Sequence, residues 1–164
     1  MRYEFLQCSE GDREWAYALK SGAYREVVER QFGPWDERFQ RELFAARWNP
    51  TISRIVVVDG MAAGLVALVD RVGELWLDEI QMASKWRGEG IGSAIIRGLI
   101  DQARADRKPI RLHVLRENAR AQRLYRQLGF FITGETANHV LMECGEAPGQ
   151  RTNPDETSST RRPA

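Results

Sequence analysis

A chain of 164 residues is long enough for one domain with a hydrophobic core, and 43% hydrophobic with 29% charged residues is ordinary for a globular protein. The net charge of +1 gives no field that would favour nucleic acid, and we expect no nucleic-acid partner. Cys8, Cys144 and two histidines provide neither a disulfide framework nor metal-ligand spacing, so we expect a cytoplasmic protein without a metal. No 18-residue apolar run is present, and the N-terminus does not resemble a signal peptide, so we also expect no membrane association.

The first half of the chain predicts one strand followed by three helices. Alternating residues predict a strand over 3–8, and Gly11-Asp12 can cap a first helix. A second helix is predicted over 23–31 and ends at Gly33-Pro34. Asp36 precedes a third helical pattern that ends at Asn49-Pro50.

The second half predicts strands over 52–58, 61–69 and 74–82, the first two joined by the hairpin turn Asp59-Gly60. An amphipathic helix over about 90–105 follows, then a strand over 109–115 and a helix capped by Asn118. Gly129 suits a left-handed helix end, and strands over 130–134 and 139–143 form a final pair. The fold class is therefore mixed α/β. Residues 146–164 have no aromatic side chain, so we expect a domain over 1–145 and a disordered tail.

The segment Arg87-Gly88-Glu89-Gly90-Ile91-Gly92-Ser93 lies between the strand ending at Met82 and the amphipathic helix. A glycine-rich turn that opens a helix exposes backbone N–H groups at the positive end of the helix dipole, which favours a phosphate or pyrophosphate. Glycines let the backbone approach such a ligand closely. The alternative is a glycine-rich connection without a ligand.

A second motif reads Asn118, Ala121, Tyr125, Gly129 and Phe130 at fixed spacing. Together with Arg87-x-x-Gly90-x-Gly92, it resembles the GNAT superfamily of acyl-CoA-dependent N-acetyltransferases over about residues 74–143. The resemblance implies the GNAT fold, which is a mixed, mostly antiparallel central sheet flanked by helices on both faces. It also implies acetyl-CoA as co-substrate and two splayed strands that open a cleft for it.

The resemblance further implies a set of cofactor-binding residues. Backbone groups of Met82, Ala83 and Ser84 would hold the pantetheine arm and the thioester, and Asn118 would meet the cofactor unless it serves only as a helix cap. The turn that would hold the pyrophosphate comprises Arg87, Gly88, Glu89, Gly90, Ile91, Gly92 and Ser93.

The catalytic candidates are one phenol and three bases. Tyr125 is the candidate proton donor to the departing thiolate, because a phenol near pKa 10 and a thiol near 8.5 are workably matched. Asp78 and Glu79 interrupt an apolar strand, and strand alternation predicts that only one of them reaches the cleft unless a bulge changes the parity. Comparison with GNAT members favours Asp78, and His113 on the next strand is the alternative base. Each carboxylate could instead pair structurally with an arginine.

The predicted function is acetyl transfer from acetyl-CoA to a primary amine, by direct attack within a ternary complex. The alternatives are a non-catalytic acyl-CoA-binding or regulatory GNAT module, or a nucleotide-binding protein of another fold. The acceptor, a small molecule or a peptide amine, is not determined by the sequence, and a homodimer is possible. An acidic face would favour polyamines or aminoglycosides, and a groove would favour peptides. Trp35, Phe39, Phe44 and Trp48 could line an apolar acceptor pocket, but we expect most of them to pack in the core.

Overall fold

Seven strands form one mixed sheet in the computed structural model, which describes residues 2–145. The strand order is β1-β2-β3-β4-β5-β7-β6, and every neighbouring pair except β4 and β5 is antiparallel. The predicted α/β class is therefore confirmed, and each predicted strand boundary lies within one residue of the observed one. The elements are β1 (Tyr3–Gln7), α1 (Arg13–Phe32), α2 (Glu37–Arg47), β2 (Ser53–Val58), β3 (Met61–Asp70), β4 (Leu75–Met82), α3 (Ile91–Ala105), β5 (Ile110–Leu115), α4 (Ala119–Gln127), β6 (Phe131–Glu135) and β7 (His139–Cys144).

The two helices predicted before Gly33 are one continuous helix, α1, so this part of the sequence interpretation is wrong. Gly22 lies inside the helix on an exposed face, where a glycine costs only about 1 kcal/mol relative to alanine. The predicted cap at Asp12 also differs. Its carboxylate accepts hydrogen bonds from the backbone N–H and hydroxyl of Ser9, at 2.7 and 2.8 Å, across a short 3₁₀ turn that precedes α1.

The two faces of the sheet carry separate hydrophobic clusters. Leu65 and Ala67 of β3 belong to the smaller cluster with α1 and α2, whereas Val66 belongs to the larger cluster with α3. This alternation follows from the two-residue period of a strand. The predicted apolar stripe of α3 is confirmed, because Ile91, Ile95, Leu99 and Ala103 are each at most 6% exposed. Helices therefore cover both faces of the sheet.

The two predicted turns with left-handed backbone are also present. Asp59 and Gly60 have φ angles of 51° and 75° in the β2–β3 hairpin, and Gly129 has a φ of 95° after α4. These positive values match a type I′ hairpin turn and a left-handed helix end. The predicted tail over 146–164 lies outside the described residues. No helix of the described part of the chain has the length and apolar character needed to cross a bilayer.

Strands β4 and β5 form the parallel pair and remain together for only two positions. Leu75 pairs with Ile110 and Trp76 with Arg111, after which the strands separate. The C-terminal half of β4 therefore has β3 on one side and an unpaired edge on the other. This opening in the middle of the sheet positions the candidate site.

Candidate active site

The glycine-rich turn leads from the end of β4 into α3 through the 3₁₀ turn Ser84–Trp86. Gly88 and Gly90 have φ angles of 84° and 79°, and an added Cβ at either would meet no atom within 4 Å. These positions therefore need glycine for backbone conformation and leave open space beside the turn. Arg87 fastens the turn to the strand, because its Nε donates to the Met82 carbonyl oxygen at 2.8 Å.

The start of α3 fits an anion. The first hydrogen bond of the helix runs from the N–H of Ala94 to the carbonyl of Gly90, so the preceding N–H groups of Ile91, Gly92 and Ser93 have no helical acceptor. They lie at the positive end of the helix dipole. Glu89 is exposed. Because its carboxylate would repel an anion, only its backbone N–H is suited to bind one there.

Along the unpaired edge of β4, the backbone N–H and C=O groups of every second residue point toward the gap between β4 and β5. The N–H of Ala83 donates to the Ala63 carbonyl at 2.8 Å, so Ala83 faces β3. Antiparallel alternation then directs the amides of Met82 and Ile80 toward the gap between β4 and β5. The carbonyl of Ala83 accepts from the N–H of Trp86 at 2.8 Å.

Ala83 therefore has no free N–H, and its predicted role falls to its carbonyl oxygen, which can accept a second hydrogen bond. The N–H groups of Met82 and Ile80 are both directed toward the gap, and the sequence interpretation did not include Ile80. Ser84 is exposed and its carbonyl accepts from the N–H of Arg87 at 3.2 Å, which leaves its N–H and its hydroxyl available.

Two connected cavities open beside β4 on the face covered by α1 and α2. The polar cavity, of about 390 Å³, is lined in part by Trp48, Asn49, Ser53 and Gln81. The aromatic cavity, of about 550 Å³, is lined in part by Tyr24, Phe32, Trp35, Phe39, Asn118 and Tyr125. Both cavities share Lys20, Phe44, Arg47, Asp78, Glu79, His113 and His139. All four predicted catalytic residues therefore line the aromatic cavity.

Asp78 and Glu79 both reach these cavities, which corresponds to the bulge alternative and not to the simple alternation that would admit one carboxylate. The reason is a bulge in β4. Ala67 pairs with Glu79, and the next residue, Leu68, pairs with Leu77, which leaves Asp78 as the additional residue. A bulge breaks the strict alternation of side chains, so adjacent residues can face the same space.

The two carboxylates have different partners. Glu79 forms an ion pair with Lys20 and accepts a hydrogen bond from Gln81 Nε2 at 3.1 Å. Asp78 accepts a long hydrogen bond of 3.3 Å from Trp76 Nε1 and has no ion pair among residues 2–145. Glu79 is thus paired with a cation, as the structural alternative predicted, although the cation is Lys20 and not an arginine. Asp78 is the less constrained carboxylate.

His113 lies at the shared part of the cavities, with its ring centroid 4.5 Å from that of His139. Burial lowers the pKa of His113 below its usual value, against the opposing charge of Asp78, so the ring is neutral at pH 7 and can accept a proton. Burial likewise lowers the pKa of His139. The sequence interpretation missed His139. The available signal was the antiparallel pairing of β5 with β7, which brings the start of β7 opposite the end of β5.

Tyr125 is 9% exposed and packs its ring against Phe130, with centroids 5.5 Å apart. Burial raises the pKa of Tyr125 to about 12. The phenol therefore keeps its proton at neutral pH, but the predicted match with a thiol near 8.5 is poorer than the unperturbed value suggested. Burial also raises the pKa of Tyr24, a second cavity phenol that the sequence interpretation missed, and the proximity of Tyr125 adds to this shift.

Asn118 satisfies both of its predicted alternatives. Its side-chain oxygen accepts from the N–H of Ala121 at 3.1 Å and so caps α4, while the residue also lines the aromatic cavity. Its side-chain amide nitrogen remains available to a ligand. Phe39 follows the pocket alternative, because it is 55% exposed and lines the aromatic cavity.

The sequence profile of the Acetyltransferase (GNAT) family matches residues 20–130, which include β4, the glycine-rich turn and α4. The chain belongs to the GNAT acetyltransferase family. A search of the curated protein sequences found no match.

Solved structures share this fold at low sequence identity. PaiA N-acetyltransferase from Thermoplasma acidophilum, in complex with coenzyme A, is 14% identical with a TM-score of 0.72, covering 89% of this chain and 100% of its own. The ribosomal-protein-S18-alanine N-acetyltransferase from Escherichia coli is 20% identical with a TM-score of 0.63, covering 91% and 98%. Arabidopsis thaliana Naa50, in complex with the bisubstrate analogue CoA-Ac-MVNAL, is 16% identical with a TM-score of 0.60, covering 89% and 100%. These similarities establish the GNAT fold.

Proposed function

We propose that this protein transfers an acetyl group from acetyl-CoA to a primary amine by direct attack within a ternary complex. One observation carries the proposal. The free edge of β4 leads from the glycine-rich turn to a cavity lined by a buried phenol, two carboxylates and a neutral imidazole. Two of the solved structures with this fold contain coenzyme A or an analogue of it, which supports acetyl-CoA as the co-substrate.

The chain offers separate groups to each part of acetyl-CoA. The N–H groups at the start of α3 suit the pyrophosphate, and Arg87 adds positive charge beside them. The unpaired amides of Ile80 and Met82 suit the amide groups of the pantetheine arm, because an extended chain with amides can pair with a strand edge. This arrangement directs the thioester toward the shared part of the cavities.

The acceptor amine must lose a proton, and three groups are available for it. His113 is neutral at pH 7, and Asp78 carries no competing ion pair among the described residues. Glu79 is held by Lys20 and suits a positioning role. The amine nitrogen attacks the thioester carbonyl carbon, the C–S bond breaks, and the sulfur leaves with the bonding electrons. The amine proton passes to His113 or Asp78, directly or through water.

Tyr125 donates its proton toward the departing sulfur. Full transfer from a phenol with a pKa of about 12 to a thiolate whose conjugate acid is near 8.5 is uphill by ~5 kcal/mol. Burial of the thiolate reduces this gap, because a low-dielectric site also raises the pKa of a thiol. Tyr125 therefore acts chiefly as a hydrogen-bond donor to the developing negative charge, and proton transfer completes late.

The test is steady-state release of the free thiol of CoA from acetyl-CoA, with a panel of amines that includes amino acids, polyamines and N-terminal peptides. Amine-dependent release, with formation of the matching acetyl amide by mass spectrometry, is the expected result. The non-catalytic alternative predicts acetyl-CoA binding by calorimetry with no amine-dependent release. Absence of acetyl-CoA binding would contradict both interpretations.

A further inference from the structure

The charges around the two cavities do not all pair with one another. Lys20 and Glu79 neutralise each other in an ion pair. Arg47, at the end of α2, lines both cavities but makes no ion pair or side-chain hydrogen bond within residues 2–145. Asp78 lines both cavities with only the long bond from Trp76. Among the residues that the two cavities share, one positive and one negative group therefore remain for a ligand.

The polar cavity also contains buried polar atoms without partners. Nε1 of Trp48 is a buried donor and Oε1 of Gln81 a buried acceptor, and neither has a hydrogen-bond partner in the described part of the chain. Gln81 is only 3% exposed. A buried polar group left unpaired costs ~1–3 kcal/mol, so such groups commonly mark the position of a ligand. A donor and an acceptor are thus unused in the same cavity as Arg47.

The aromatic cavity supplies an apolar wall. Phe32 and Phe39 are 53% and 55% exposed, although both are large aromatic side chains, and Trp35 lies beside them. Exposed aromatic residues that line one concave surface are typical of a binding site for an apolar group. This wall adjoins Asp78 and His113, so an apolar group bound there would lie next to the reaction centre.

We infer that the acceptor is a free amino acid with a large apolar side chain. Its carboxylate would lie against Arg47, its amine toward Asp78 and Gln81 Oε1, and its side chain in the aromatic cavity. The inference rests on the proposed function and adds the class of acceptor. A polyamine would bring a second cation toward Arg47, and a peptide would replace the recognised carboxylate by a neutral amide. Arg47 and Asp78 both influence the pKa of His113, in opposite directions, which agrees with their position around one centre.

The experiment measures binding by calorimetry in the presence of CoA, so that no turnover occurs. The probes are L-phenylalanine, L-phenylalaninamide, phenethylamine and spermidine. We expect L-phenylalanine to bind about 10- to 100-fold more tightly than the amide or phenethylamine, because a hydrogen bond to a charged group is worth roughly that factor. Arg47→Gln should remove most of this preference. Arg38→Gln is the matched control, since Arg38 lies on the same helix, is exposed and, within residues 2–145, pairs only with Glu42.

Several outcomes would overturn the inference. These are undetectable binding of L-phenylalanine, equal binding of acid and amide, tighter binding of spermidine, or an unchanged preference in Arg47→Gln. Acetyl-CoA binding and thiol release with the amine panel are measured separately on the same preparations. If phenethylamine or spermidine is acetylated as well as L-phenylalanine, the proposed function stands and the amino-acid inference fails. If acetyl-CoA does not bind, the proposed function fails and the acceptor role fails with it, and calorimetry with the four probes then decides only whether the cavities bind an apolar amino acid.

Discussion

Replacing Gly90 by alanine tests the anion-binding turn with a control that the chain itself provides. Gly90 and Gly60 have φ angles of 79° and 75°, and an added Cβ at either would meet no atom within 4 Å. Both alanines therefore suffer the same left-handed backbone strain, ~1–2 kcal/mol, without a clash. In a chain of this size, that corresponds to a fall of about 2–8 °C in melting temperature for each variant.

Only the Gly90 variant should lose affinity for CoA. The strain displaces N–H groups at the start of α3, and the new methyl group occupies the open space beside them. Losing a hydrogen bond to a charged phosphate costs ~1.5–3 kcal/mol, which corresponds to about 10- to 100-fold in dissociation constant. Gly60→Ala, in the β2–β3 hairpin, should stay within about twofold of the parent protein by the same reasoning.

The assay combines calorimetric titration with CoA and a thermal unfolding scan on both variants. Equal destabilisation with a selective loss of CoA affinity in Gly90→Ala is the expected pattern. Unchanged affinity in Gly90→Ala would remove the turn from the binding site. An equal loss of CoA affinity in both variants would mean that general destabilisation of the fold causes it, and this result would also refute a specific role for the turn.

Three further predictions concern the reaction and the chain terminus. Tyr125→Phe should lower kcat by about 10²–10³-fold with little change in acetyl-CoA affinity, because one hydrogen-bond donor to the developing charge is lost. Tyr3→Phe, outside both cavities, should leave kcat unchanged, and parental turnover in Tyr125→Phe would make the phenol structural. Because burial lowers the pKa of His113, kcat should fall only as pH drops below about 6.5. Asp78→Asn should move this acidic fall in kcat to lower pH, since the Asp78 charge raises the pKa of His113. If the same fall persists in His113→Gln, His113 is excluded as the base. A chain ending at Gly145 should retain full thiol-release activity, because every candidate site residue precedes that position, and loss of turnover would contradict this.

Local sequence signals predicted most of the fold because the relevant forces are local. The Asp59-Gly60 turn, the cap at Asn118 and the stripe of α3 each depend on residues a few positions apart, and all three are present. The prediction of two helices in place of α1 was wrong because packing with distant residues outweighed a local signal. Gly22 weakens a helix by an amount that tertiary packing of Ala16, Tyr17 and Leu19 offsets.

The candidate site was predicted less completely, because its geometry depends on pairing between distant segments. The bulge at Asp78 is defined by the pairing register between β3 and β4, and the residue pattern of β4 alone does not predict it. Likewise, the N–H of Ala83 is occupied by a hydrogen bond to the carbonyl of Ala63, which lies twenty residues earlier in the chain. His139 becomes a neighbour of His113 only through the pairing of β5 with β7.

A single strand, β4, links the two halves of the proposed reaction. Its backbone edge is free because β5 diverges after two residue pairs, and that edge suits the pantetheine arm. Its side chains at Asp78 and Glu79 share one cavity because the bulge cancels the alternation. The unpaired edge and the bulge are irregularities that a regular sheet would not contain, and each would be destabilising on its own. Both occur within one half-strand beside the only turn among residues 2–145 with two left-handed glycines, so the proposed sites for the two substrates meet at this strand.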